Sequence, residues 1–157
     1  MKHIIFVCTG NICRSVMAEH ILKKTLKENG ISDITVSSRG TEANPEYRIY
    51  GYLSDVMKEA GIDFSNHTST QITEKEAKNS HLILVMEKRQ KEFLQKEFPQ
   101  MKNKVFMLKE YAGEGETDIV DPIGLPAPAH KLKLEEIETT LHKILPKLLK
   151  ITENEQQ

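Results

Sequence analysis

Cys8, Arg14 and Ser15 belong to one loop, Cys8-Thr9-Gly10-Asn11-Ile12-Cys13-Arg14-Ser15, which follows the apolar run Ile4-Ile5-Phe6-Val7 and opens a segment of helical periodicity. A strand, a loop containing glycine and a helix N-terminus make an anion cradle. Backbone N–H groups turn inward, and the helix end adds partial positive charge. This cradle carries a thiol at its entrance and a guanidinium at its exit. Thiols among such donors ionise readily, and the thiolate is the nucleophilic form. The planar fork of arginine binds two oxygens of a phosphoryl group at once, which the point charge of lysine does not. Ser15 is placed to donate its hydroxyl hydrogen to the sulfur, and Thr9, Gly10, Asn11, Ile12 and Cys13 complete the phosphate-binding loop. A thiolate attacking a phosphomonoester also needs a proton donor for the departing oxygen. Asp121, in the pair Asp121-Pro122, is the candidate, with Asp118 as its rival. Asp-Pro is also an ordinary turn former, so composition alone leaves both readings of Asp121 open.

The elements that must hold these groups follow from periodicity. Short apolar or alternating runs predict strands at 4–7, 34–38, 81–86 and 104–108. Helical spacing predicts helices over 14–29, stopped by Gly30, and over 49–57, closing at Gly61. Thr73 and Glu76 form a capping box for a short helix. A further helix over 87–98 should end at Pro99, and a terminal helix should run from about His130 until Pro146 kinks or ends it. Between the last strand and that helix lies a long polar loop holding Asp121. Alternating strands and helices predict an α/β fold, a four-stranded parallel sheet with helices on both faces in the Rossmann-like manner. Ligands in such sheets bind at the carboxyl ends of the strands, where Cys8 lies.

A chain of 157 residues predicts a single domain, over 1–151, with a polar tail at 152–157. The net charge of −1 argues against a nucleic-acid partner, and no apolar run approaches a membrane span. Two cysteines five apart make no disulfide framework, which predicts a cytoplasmic home. The six histidines lack metal-ligand spacing, so no metal and no cofactor is expected.

Cysteine, five residues, arginine and serine is the signature of cysteine-dependent phosphatases. Its position so near the N-terminus resembles the low-molecular-weight protein-tyrosine-phosphatase family, in a bacterial branch close to the protein-arginine phosphatases. The resemblance implies a metal-free hydrolysis in two steps on a phosphorylated protein. Cys8 is then the nucleophile, Arg14 the phosphate clamp and Asp121 the general acid. It also implies a bracing network in which Ser38 and His67 support Asn11 in a left-handed turn. Cys13 either forms a reversible disulfide with Cys8 or fills space beneath the loop. Tyrosine-directed members have isoleucine at position 12, as here, whereas arginine-directed members have threonine, so phosphotyrosine is the expected substrate and phosphoarginine the alternative. Other features differ from the tyrosine-directed pattern. No tandem tyrosines follow Asp121-Pro122, and the stretch Lys109-Glu110-Tyr111 is similar to the arginine-directed branch. Asn44 stands where an aromatic usually walls the pocket, which leaves Tyr47 or Tyr50 to replace it, and Val16 stands where proline usually begins the helix. Two other classes remain: an arsenate reductase, which would need further cysteines after Cys13 that the chain lacks, and a phosphoprotein-binding module without turnover. A monomer is expected.

Overall fold

The computed structural model describes residues 1–153. β1 spans Lys2–Cys8, α1 Arg14–Glu28 and β2 Ile34–Gly40. Then come α2 (Gly51–Glu59), α3 (Glu74–Asn79), β3 (Leu82–Val85) and α4 (Lys88–Glu97). A 3-10 turn at Pro99–Lys104 leads into β4 (Val105–Met107), the short helix α5 (Leu108–Tyr111) and the long helix α6 (Ala127–Glu153). Among the described residues, four strands form one sheet in the order β2-β1-β3-β4, every pair parallel, as the alternation of elements predicts.

Strand alternation divides the core in two. Ile4, Phe6 and Leu84 point to one face, against Met17 and Leu22 of α1 and Ile137, Leu141 and Ile144 of α6. Ile5, Val7, Ile83 and Val85 point to the other, against Ala77 of α3 and Leu94 of α4. Because β1 and β3 are central and covered on both sides, their sequences are nearly continuous apolar runs. The register sets Cys8 beside Gly40 and Val85 beside Met107, so all four strands end on one edge. The chemistry-bearing loops leave from that edge. The Thr73 capping box forms as expected, with Glu76 N–H donating to Thr73 Oγ1 at 3.2 Å.

Three local expectations are corrected. Residues 108–111 were expected as the strand end and loop; they fold instead as α5, with Leu108 and Tyr111 buried on one side. Tyr111 packs on Phe106 and under the Lys147 ammonium, 3.8 Å from its ring centre, and this tertiary packing holds a helix too short to stand by itself. Pro146 does not end α6, which continues to Glu153. Pro146 is exposed, so the carbonyl it frees can meet water, while Ile144 and Leu148 anchor the helix on either side of it. Thr152, placed in the expected tail, is therefore helical, and residues 154–157 of that tail lie outside the described residues.

Candidate active site

The loop between β1 and α1 is braced from outside. Asn11 is fully buried with φ of 55°, a left-handed conformation that asparagine tolerates better than most residues. Its Nδ2 donates to Ser15 Oγ and to Ser38 Oγ, each at 3.0 Å, and its Oδ1 accepts from Thr70 N–H at 2.9 Å. His67 Nε2 lies 2.6 Å from the Asn11 carbonyl, and since a carbonyl only accepts, this nitrogen carries the proton. Ser38 and His67 thus both meet Asn11, in the geometry the resemblance implies.

Three members of this brace escaped sequence reading. Ser69 Oγ donates to the Gly10 carbonyl at 2.7 Å, Thr70 offers its backbone N–H to Asn11, and Ser38 Oγ donates to Glu19 Oε1 at 2.6 Å. Burial alone would raise the Glu19 carboxyl, but hydrogen bonds from Lys23 and Ser38 more than offset it and hold it below the ordinary carboxylate range. The signal for Glu19 was present, since it is a charge on the apolar face of α1 beside Ala18 and Leu22. Gly40 also matters: a Cβ there would stand 2.5 Å from the Thr9 carbonyl oxygen, so any side chain displaces the loop.

Cys8 ends β1, and its sulfur lies 3.0 Å from Ser15 Oγ. Arg14 is the first residue of α1 and almost wholly buried. Its Nη1 donates to the Ile119 carbonyl at 2.8 Å and pairs with Glu87 Oε1 at 3.0 Å, while its Nη2 lies 3.6 Å from Asp121 Oδ2. Arg14 Nε, also buried, has no hydrogen-bond acceptor among the described residues. One edge of the guanidinium is therefore committed to the protein, and the other keeps a donor for an anion.

Glu87, at the turn from β3 into α4, was not singled out from sequence. It pairs with Arg89 as well as with Arg14, and Arg89 Nη2 reaches Thr9 Oγ1 at 3.0 Å. Gln90 joins the same group, its Nε2 donating to Thr9 Oγ1 while its Oε1 accepts the Met86 and Glu87 N–H groups.

The structure separates the two candidate acids. Asp118 Oδ1 accepts from Lys88 N–H at 2.8 Å and so caps the start of α4. Asp121 is the aspartate that faces Arg14, and its other oxygen accepts from Ile123 N–H at 3.0 Å in a local turn. The turn-forming contact thus leaves the other carboxylate oxygen of Asp121 facing Arg14. Ile119, fully buried, donates its N–H to the Met86 carbonyl and gives its own carbonyl to Arg14, which pins the loop just before Asp121. Cys13 is buried under the loop, and burial pushes its thiol far above the ordinary range, so it stays protonated; both cysteines are free.

A profile of the low molecular weight phosphotyrosine protein phosphatases matches residues 3–156. The chain belongs to that family. It is 34% identical over 147 residues to the Protein-arginine-phosphatase of Bacillus subtilis, covering 94% of this chain and 97% of that one. It is also 34% identical over 148 residues to the probable low molecular weight protein-tyrosine-phosphatase EpsP of Ralstonia nicotianae, covering 94% and 97%. The crystal structure of the low molecular weight protein tyrosine phosphatase from T. tengcongensis superposes with a TM-score of 0.86 at 34% identity, covering 94% of this chain and 99% of that one. The YwlE mutant from Bacillus subtilis superposes with a TM-score of 0.88 at 32% identity, again covering 94% and 99%.

In this phosphatase, Ile12 also lines a groove of about 550 Å³ beside the loop, together with Tyr50, Tyr52, Leu53, Ile123 and Leu125. The Tyr47 ring and Ile12 Cγ1 both come within 3.8 Å of the point where a Gly10 Cβ would sit, so they converge over the loop. Asn44 instead shapes the chain, donating its N–H to Ser69 Oγ and accepting Glu46 N–H. Val16 is fully buried, so where the family pattern has proline this chain has a core residue.

Proposed function

We propose that this phosphatase hydrolyses phosphotyrosine in proteins through a thiophosphoryl-cysteine intermediate. The observation that carries the chemistry is the buried Arg14 Nε, a donor without an acceptor among the described residues, in a guanidinium whose Nη2 faces Asp121. In the first step the Cys8 sulfur forms a bond to phosphorus, the ester P–O bond breaks, and Asp121 delivers its proton to the departing phenolic oxygen. In the second step Asp121 takes a proton from water, the water oxygen bonds to phosphorus, and the S–P bond breaks to release inorganic phosphate. Arg14 Nε and Nη2, with the inward N–H groups of the loop, hold the equatorial oxygens in both steps. Glu87 and the Ile119 carbonyl keep the guanidinium aimed there. The loop binds phosphate through Thr9, Gly10, Asn11, Ile12, Cys13 and Ser15, and the Ser15 hydroxyl 3.0 Å from the sulfur steadies Cys8 when it leaves phosphorus. The two free thiols fit a reducing bacterial cytoplasm.

Asp121→Asn tests the acid. Turnover of phenyl phosphates with poor leaving groups should fall by roughly 10²- to 10³-fold, and of p-nitrophenyl phosphate by much less, because a good leaving group departs without a proton. Equal loss across a leaving-group series would remove Asp121 from this role and return it to Asp118.

The converging side chains of Ile12 and Tyr47 support an aromatic substrate, since a phenyl ring is held by apolar walls and Ile12 offers no hydroxyl to a guanidinium. Phosphoarginine is the second reading, favoured by similarity to the Bacillus subtilis relative named for that substrate. kcat/KM on one peptide bearing phosphotyrosine, and on its phosphoarginine counterpart, separates them, with Cys8→Ser as the blank. The phosphotyrosine peptide is expected to lead; a phosphoarginine preference overturns the assignment.

A further inference from the structure

We infer that the groove beside Ile12 binds the substrate polypeptide next to its phosphorylated residue and selects an apolar side chain there. This rests on the reading of the protein as a phosphoprotein phosphatase. Ile12 belongs to the phosphate loop and also lines the groove, so the two sites are continuous. A polypeptide whose phosphorylated side chain enters the loop must lay its neighbouring residues against the groove.

The lining matches an apolar neighbour. Tyr50 is 77% exposed, Tyr52 58%, and Ile123 and Leu125 51% each, and all four border this one groove. Large apolar side chains left in water around one depression mark a contact surface. They come from two elements: the tyrosines from the start of α2 and its flank, Ile123 and Leu125 from the loop that carries Asp121. A volume of about 550 Å³ falls within the ~300–1,000 Å³ of sites that enclose small ligands, enough for a side chain and its backbone.

Charge gives an acidic neighbour no net advantage. The groove holds one cation and one anion, Arg48 and Asp55. Both are exposed, and Arg48 Nη1 donates to the Pro45 and Tyr47 carbonyls, so the two charges oppose each other in the groove. An acidic neighbour would meet Asp55 as well as Arg48, and would have to lose water against apolar walls.

The test uses phosphopeptides that differ only in carrying Leu or Asp at one position within two residues of the phosphorylated residue, on either side. p-Nitrophenyl phosphate, which has no neighbours, is the reference. At one position at least, the wild-type kcat/KM should favour Leu by about tenfold or more. The double variant Tyr52→Ser/Leu125→Ser should bring that ratio to about one while turning over the reference as the wild type does. A wild-type ratio near one at every position, or a preference the double variant leaves intact, overturns the inference. So does a wild-type dimer in sedimentation that the double variant converts to monomer, since a second copy would then occupy the groove. If neither peptides nor reference turn over, the phosphatase reading fails separately. Calorimetric binding of the same peptides to Cys8→Ser then still reads the Leu-to-Asp preference.

Discussion

Cys8→Ser is expected to lower kcat on p-nitrophenyl phosphate by roughly 10⁴- to 10⁶-fold, the scale on which enzymes lose rate when their nucleophile is removed. The variant should keep its affinity for phosphate, and this pairing of lost turnover with retained binding is the informative part. Serine is isosteric at the end of β1, so the loop N–H groups, the Asn11 brace and the Arg14 fork keep their positions. An alcohol is a far weaker nucleophile than a thiol, and among the described residues its hydrogen-bond neighbour, Ser15 Oγ at 3.0 Å, is itself a hydroxyl and no base to activate it. Cys13 does not substitute, because burial keeps its thiol protonated beneath the loop. Steady-state kinetics with phosphate titrated by calorimetry checks both halves. Residual turnover above a tenth of wild type would put the nucleophile elsewhere, and loss of phosphate binding along with turnover would mean that the loop had collapsed.

Arg14→Lys should cost nearly as much in kcat/KM, on the order of 10³- to 10⁵-fold, although the charge is kept. Arg14 does four things from one planar group. It donates to the Ile119 carbonyl, pairs with Glu87, faces Asp121 and keeps Nε free for an anion. A lysine ammonium is a single point and can satisfy at most part of this. If it stays with Glu87, phosphate loses its two-toothed donor; if it turns to phosphate, the buried Glu87 carboxylate and the Ile119 carbonyl lose a partner. The loop that carries Asp121 is pinned through Ile119, so Asp121 should loosen as well. Thermal unfolding with and without inorganic phosphate gives an independent reading. Phosphate should raise the Tm of the wild type and leave that of the variant unchanged, because only a bound ligand stabilises the native state. A lysine variant retaining more than a tenth of wild-type kcat/KM would show that positive charge alone suffices and that the fork is incidental.

Much of this protein was open to reading before its structure. Cys8 to Ser15 is one contiguous strand–loop–helix unit, and the periods of β1, β3 and α1 are strong because those elements are buried on long, regular faces. Residue types at fixed spacing suffice when the neighbours in space are also neighbours in the chain. The parallel sheet followed from the same local periods, since alternating strands and helices leave few other layer arrangements.

The rest of the site comes from segments far apart in sequence that meet only because the order β2-β1-β3-β4 brings their carboxyl ends to one edge. Glu87 reaches Arg14 because β3 lies beside β1, and Ser38 reaches Asn11 because β2 lies on its other side. Nothing local to Ser69, Thr70 or Ile119 marks them, since two act through the backbone and the third through a hydroxyl like many others. The choice between Asp118 and Asp121 is of the same kind. Three residues apart in one loop, they are alike as a sequence, and they part only when the α4 N-terminus takes one and the Arg14 guanidinium faces the other. The short helix at Leu108–Tyr111 and the passage of α6 through Pro146 were likewise beyond local rules, because packing on Phe106, Ile144 and Leu148 outweighs weak intrinsic preferences. Local chemistry thus placed the thiol and the guanidinium in one loop, and long-range packing supplied the partners that hold that loop in place.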